Sequence, residues 1–264
     1  MVTNEACPYV GIPIFPSRMF RHGSVYVQTG SSLESLRELE GKRVGTGDYN
    51  VTAAVWMRGV MQHECGVDPG RVTWVVNKRT LHAEVNPPSG VPVEEVEGST
   101  PEDLLLAEEV DAIILPYRPK SLGSRVRRLL RDHRAEEVAY FRKTGIFPIM
   151  HVVGLRRSLY ESMPWIANSL MFAFEESKRK GRERMEDTAG LAVGLAWLGD
   201  ELERQEELLG EDPFSYGFAK NEMTLQVLCD YVWKQGLSRR AVHASELFAP
   251  ETLTIDPAEE LRLF

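Results

Sequence analysis

The stretch 42–66 sets the fold class. KRVGTG is a β-prone run that ends in glycine, and TAAVWMRGVMQHEC after it repeats its apolar residues at helical spacing until Gly66 closes the helix as a left-handed cap. A strand, a glycine turn and a helix in that order are half of a βαβ unit, so a parallel sheet covered by helices is expected. The start of this helix is its chemically interesting end. Unpaired backbone N–H groups and the positive end of the dipole attract anions there, and the Thr52 hydroxyl adds a donor. The alternative use of the same residues is that Asn50 or Thr52 caps its own helix.

The chain downstream continues the pattern. RVTWVV (71–76) is a second strand, and the polar excursion 77–90 carries Lys78, Arg79 and His82, either lining a cleft or as solvated surface. Residues 91–96 alternate like a strand at the sheet edge, and T-P-E-D from Thr100 is a helix start with proline at its first position. VDAIILP (110–116) reads as a buried parallel strand and ends at Tyr117, Arg118 and Pro119. Ligands of open α/β sheets gather outside the carboxyl ends of strands, which makes Arg118 a candidate anion contact. The basic run SRVRRLLRDHR (124–134) is read as the wet face of a helix, and 136–140 as a strand leading out of the unit.

Upstream, IFPSRMFRHGSVY (14–26) places Arg18, Arg21 and His22 between two extended runs, because Pro13 and Pro16 forbid a helix interior. Two guanidinium groups suit carboxylate or phosphate, and the imidazole titrates near neutrality. The other reading is a surface loop with solvated charges. His151 sits in an apolar run after FRKTGIFPIM, where a core role and a ligand role are both open. From Leu159 onward helices dominate, over 165–180, 191–209 and 221–235, with DPFSYG (212–217) as a turn and Leu247-Phe248 as a docking segment.

At 264 residues, with 27% charged residues and a net charge of −8, the chain is long enough for two lobes and lacks the basic footprint of a nucleic-acid binder. Its three cysteines have no metal-ligand spacing, and there is neither a signal segment nor an apolar run of membrane-spanning length. A cytoplasmic protein with no nucleic-acid or membrane partner is expected, and a homo-oligomer is compatible with the sequence. The organisation expected is discontinuous. Residues 1–29 and 141–264 form lobe 1, and 30–140 form a contiguous α/β lobe 2. Two crossing segments then bring Arg18, Arg21, His22, Thr52, Arg118 and His151 to one cleft.

Several strings together carry a family resemblance: FPSRMFRHGSVYV, GKRVG with TAAVWMRG after it, DAIILPYRP, TGIFPIMHVVGLRR with MPWIA behind it, DPFSYG and ELFAPETL. In that order, from Pro8 to Leu253, the chain resembles the 4,5-dihydroxyphthalate decarboxylase family. The resemblance implies a two-lobed, periplasmic-binding-protein type II-like α/β fold, with a helix-rich C-terminal part and a truncated first lobe. Similar chains begin several dozen residues earlier, so an incomplete sheet with an unpaired edge is expected in lobe 1.

The implied activity is non-oxidative removal of CO2 from a hydroxylated aromatic acid, 4,5-dihydroxyphthalate giving 3,4-dihydroxybenzoate. Each carboxylate of that acid lies para to a hydroxyl, so a phenolate pushes charge onto the carboxylate-bearing carbon and a proton there releases CO2. No redox cofactor is needed, although histidine and catechol oxygens also bind divalent metals. On this reading Arg18, Arg21 and Arg118 anchor carboxylates of a small aromatic acid, the Thr52 helix start binds a carboxylate or phenolate, and His22 is the ring-protonating acid. His151 is the alternative acid, or the base for the hydroxyl. A rival on the same scaffold is a solute-binding or sensor protein for a small carboxylate.

Overall fold

The computed structural model describes residues 7–77, 90–187, 189–190 and 192–262. In chain order its strands and helices are β1 (Tyr9–Arg18), β2 (Val25–Gln28), β3 (Arg43–Thr46), α1 (Thr52–Cys65), β4 (Thr73–Asn77), β5 (Val93–Val96), α2 (Pro101–Leu106), β6 (Ala112–Ile114), β7 (Val126–Arg128), α3 (His133–Thr144), β8 (Ile149–Arg156), α4 (Arg157–Ser162), α5 (Trp165–Glu186), α6 (Leu198–Leu209), α7 (Glu222–Lys234) and α8 (Pro257–Leu261). The chain divides into two compact units. One is Met19–Pro148 with Leu228–Ala241, and the other is Met1–Arg18, Ile149–Val227 and Val242–Phe264. The transitions therefore fall after Arg18 and Pro148 rather than at 29/30 and 140/141, and Leu228–Ala241 goes with the largely contiguous unit.

The contiguous unit is built on a six-stranded sheet in the order β5-β4-β3-β6-β2-β7. Strands β5, β4, β3 and β6 run parallel, as the strand–turn–helix pattern requires, while β2 runs antiparallel to both β6 and β7. The central strands are apolar on both faces, and Val44, Trp74, Ala112, Ile113 and Ile114 are all fully buried. Helix α1 spans Thr52–Cys65 and stops where Gly66 takes φ 70°, a conformation that glycine adopts without a Cβ penalty. Helix α2 starts at a capping box, in which Thr100 and Asp103 satisfy each other's backbone donors.

Two expectations for this unit do not hold. The run 124–134 is not a helix, because Val126–Arg128 pairs with Tyr26–Gln28 as β7 and alternation places Val126 in the core with Arg127 and Arg128 half-buried. Residues 136–140 are not a strand. They lie in α3, which Asp132 caps by accepting the Ala135 N–H and which Gly145 ends.

In the discontinuous unit β1 pairs with β8 alone, antiparallel, and the two make a two-stranded sheet. Six consecutive residues of β1, Val10–Phe15, are buried. Its other edge carries no strand among the described residues. Instead the Ala249 N–H donates to Gly11 O at 3.0 Å and the Gly217 N–H to Pro13 O at 2.8 Å. Single hydrogen bonds blunt that edge, while among the described residues β8 has no strand on its far side, and Val152 is 40% exposed. Phe248 packs edge-on against Phe15 and Phe218, as the docking-segment reading of 247–248 expects. The helix expected over 191–209 begins only at Leu198.

Candidate active site

Register decides which loops share an end of the six-stranded sheet. Thr46 of β3 pairs with Ile114 of β6 and Val76 of β4, and Ile114 pairs with Val25 at the start of β2. The connection into β2 carries Arg21 and His22, the one out of β3 leads to Thr52, and the one out of β6 leads to Arg118. All three therefore open on the same end, where the carboxyl ends of the parallel strands lie. The connection out of β4 leads to Lys78, Arg79 and His82, which lie outside the described residues.

Arg21 and Arg118 both act electrostatically on one tyrosine. Tyr26 lies in β2 with a hydroxyl pushed up by burial, and Arg128, Arg21 and Arg118 act against that shift in this order. Arg21 is 8% exposed and donates from Nη1 to Pro116 O at 3.1 Å, which holds it against the loop after β6. Arg118 is exposed and makes no hydrogen bond or ion pair among the described residues. Arg128 donates from Nε to Gly23 O at 3.1 Å, and its guanidinium lies 5.9 Å from the Tyr26 ring. Three arginines whose charges reach Tyr26 make this end of the sheet attractive to an anion.

His22 opens a short 3-10 turn, His22–Ser24, and is 5% exposed. Its ring lies 5.1 Å from that of Tyr140, and its Nδ1 has no hydrogen-bond partner. Burial pulls the imidazole down to about 4, with Glu64 opposing and His133 adding to the shift. At neutral pH His22 is therefore uncharged. The turn is held by Glu137, whose Oε1 accepts the Gly23 N–H at 3.1 Å and whose carboxyl burial pushes up.

At the start of α1 the N-cap is Val51, and no side chain caps it, so neither Asn50 nor Thr52 fills that role. Val51 O accepts the N–H groups of Ala54 and Val55, while those of Thr52 and Ala53 find no acceptor among the described residues. The anion-binding potential of this terminus is thus left unspent.

The two remaining candidates belong to the other unit. Arg18 is the last residue of β1 rather than part of a loop with Arg21, and it is 7% exposed. Its Nη2 donates to Ser215 O at 2.8 Å and to Asn221 Oδ1, and Asn221 in turn donates to Gly217 O at 2.7 Å. Burial lowers the guanidinium to about 10, and Asp212 and Tyr216 oppose the shift. This arginine braces the 212–217 turn. His151 lies on β8 opposite Ser17 and is exposed, so it is not a core histidine. A cavity of about 1060 Å3 opens in the same unit between Glu175, Lys178, Asp212, Tyr216 and Arg182, and neither Arg18 nor His151 lines it.

Tyr26, Arg128, Tyr140 and Glu137 went unnoticed in the sequence. Arg128 was hidden in a charge run that reads as a helix face, and Tyr140 and Glu137 in a segment read as strand. Among the described residues no group of three or more His, Cys, Asp or Glu side chains is placed to hold a metal ion, and no helix is long and apolar enough to cross a membrane.

Comparison with known proteins gives these features a family. No family model matches the chain. In solved structures the fold is similar to the periplasmic aliphatic sulphonate binding protein SsuA from Escherichia coli, with TM-score 0.52, 12% identity, and cover of 95% of this chain and 76% of that one. It is likewise similar to a periplasmic sulfonate-binding protein SsuA from Methylobacillus flagellatus KT, with TM-score 0.50, 13% identity, and cover of 99% and 73%. These likenesses establish a periplasmic-binding-protein type II-like fold and nothing of ligand. In sequence, the 4,5-dihydroxyphthalate decarboxylase of Pseudomonas putida is 34% identical over 144 residues, 51% of this chain and 56% of the relative. That of Comamonas testosteroni is 36% identical over 255 residues, covering 93% of this chain and 77% of the relative. At that identity over that length, the chain belongs to the 4,5-dihydroxyphthalate decarboxylase family.

Proposed function

We propose that this protein is a carboxy-lyase that removes CO2 from 4,5-dihydroxyphthalate without oxidation, giving 3,4-dihydroxybenzoate. The observation that carries the reading is that the connections bearing Arg21 and a buried His22, the uncapped start of α1 and Arg118 all open on one end of the sheet, where Arg128 lies over the Tyr26 ring. Such a set suits a ring that is at once a dicarboxylate and a catechol.

In this reading the arginines hold the carboxylate that is retained, through charge-assisted contacts. The Thr52 and Ala53 N–H groups receive the phenolate oxygen, and His22 takes the phenolic proton. The electron pair released from the O–H bond enters the ring and builds charge on the carbon para to it. That carbon takes a proton from the imidazolium formed at His22, and the bond to the departing carboxylate breaks. Its electrons restore the aromatic ring as CO2 leaves. The departing carboxylate belongs in the less cationic part of the site, because an anchor as strong in the ground state as in the transition state would not speed its loss. A bound dianion also favours the charged imidazole, so substrate itself raises His22 toward a working value. Arg18 contributes by bracing the 212–217 turn rather than by touching the ring.

Incubation of the protein with 4,5-dihydroxyphthalate, with CO2 release and product followed together, tests the reading. Stoichiometric CO2 and 3,4-dihydroxybenzoate are expected. Binding without release would instead assign the chain to the solute-binding class that its fold also serves.

A further inference from the structure

Arg58 is a buried cation with no ion-pair partner among the described residues, and Tyr49 and Asp48 act on it only through space. It lies on α1 in a run of residues that are all buried, is itself 0% exposed, and pairs with no carboxylate among the described residues. Its Nε donates to Gln235 Oε1 at 2.7 Å and its Nη2 to Tyr49 O at 2.6 Å, while Nη1 has no hydrogen-bond partner. The guanidinium lies 3.8 Å from the Tyr49 ring centroid and 5.2 Å from that of Trp74. Burial lowers it to about 10, so it stays charged at neutral pH. Gln235 is fixed in turn, with Nε2 donating to Val55 O at 2.9 Å. Gly59 beside it admits the Tyr231 ring so closely that an added Cβ would lie 2.1 Å from ring carbons.

A lone charge in such a place is costly, and an apolar side chain of similar volume would serve packing as well or better. What the arginine does grip is the loop that leads into α1. It holds the Tyr49 carbonyl and ring, and this fixes the approach 48–51 that leaves the Thr52 and Ala53 N–H groups open. Through that contact it also sets a full positive charge beside the loop that leads into the helix start.

We propose that Arg58 is a positioning residue for the anion subsite at the start of α1: it shapes the Tyr49–Val51 approach and lends its buried charge to the anion bound at Thr52 and Ala53. The proposal rests on the reading of that terminus as part of the substrate site. It predicts two separable effects, one of loop shape and one of charge.

The test is equilibrium binding of phthalate, which lacks the hydroxyls and does not react, measured by calorimetry on the full chain beside its Tm. Arg58→Met should bind phthalate about tenfold more weakly. Arg58→Lys, which keeps the charge, should stay within about threefold of wild type on the same scale. Gln235→Glu leaves Arg58 whole and sets a carboxylate directly against it, and it should weaken phthalate without lowering Tm. A purely structural cross-link predicts a lower Tm for Arg58→Met with unchanged affinity, and wild-type affinity for Gln235→Glu; that pair of results overturns the proposal. If Arg58→Met does not fold, Gln235→Glu decides alone. Wild-type protein that binds phthalate but releases no CO2 from the hydroxylated acid removes the decarboxylase reading and leaves this test intact.

Discussion

Protonating His22 should cost the fold. An unfolded histidine takes its proton near pH 6.5, whereas burial delays the same event in the folded protein to about 4. Between those values the unfolded chain binds the extra proton, so stability from this group is complete above about pH 6.5 and drains away as pH falls toward 4. At about 1.4 kcal/mol per pH unit, the whole interval is worth about 3 kcal/mol. Because His22 is 5% exposed, solvent screening trims little of that. Urea unfolding of wild type and His22→Gln at pH 7.0 and pH 4.5 isolates the effect, because every other titrating group, Glu137 with its raised carboxyl included, is common to both proteins. Wild type should lose about 2–3 kcal/mol more than the variant across that range. Imidazole resonances followed by NMR should place the midpoint near 4 in the free protein and higher with phthalate bound. Equal losses in the two proteins, or a free imidazole titrating near 6.5, would refute the reasoning and with it the use of His22 as a neutral proton acceptor.

Other outcomes follow from the same geometry. Arg118→Ala removes an exposed cation with no structural partner among the described residues, so KM should rise about tenfold with Tm unchanged, read from steady-state rates and thermal melts. Arg18→Met strips the buried Asn221 side chain and Ser215 O of a charged donor, and should cost about 2–3 kcal/mol in denaturant unfolding. Because the proposed chemistry runs through ring protonation, turnover measured after dialysis against a chelator should match that of untreated protein, and its restoration only by a divalent cation would contradict the proposed route.

Local chemistry was legible where one residue decides it. Thr100, Pro101 and Asp103 announced α2, Gly66 ended α1 where its pattern stopped, and the unbroken apolar run before Pro116 gave a buried parallel strand. The same clarity put Arg21, Thr52 and Arg118 at strand ends and so at one end of the sheet. Failures came where charge density misled. VRR in β7 is a strand at the sheet edge whose long side chains reach over a neighbouring turn and ring, yet its composition is that of a solvated helix. Helix α3 carries apolar residues so sparsely that only its Asp132 cap and Gly145 stop mark it, and both are quiet signals. Arg58 is the instructive case. A single arginine inside TAAVWMRGVM lies in a stretch that is buried all round, and the helical spacing of its apolar neighbours gives no sign of that.

The central claim is that one proton replaces one carboxylate on the ring. Turnover of 4,5-dihydroxyphthalate in D2O, with CO2 counted and the product inspected by 1H NMR, reads this directly. The account predicts one deuteron per CO2, on the product carbon next to the retained carboxylate, and loss of both signals in His22→Gln with phthalate binding preserved. Release of CO2 with no deuteron at that carbon, or tight binding with no release at all, would contradict it.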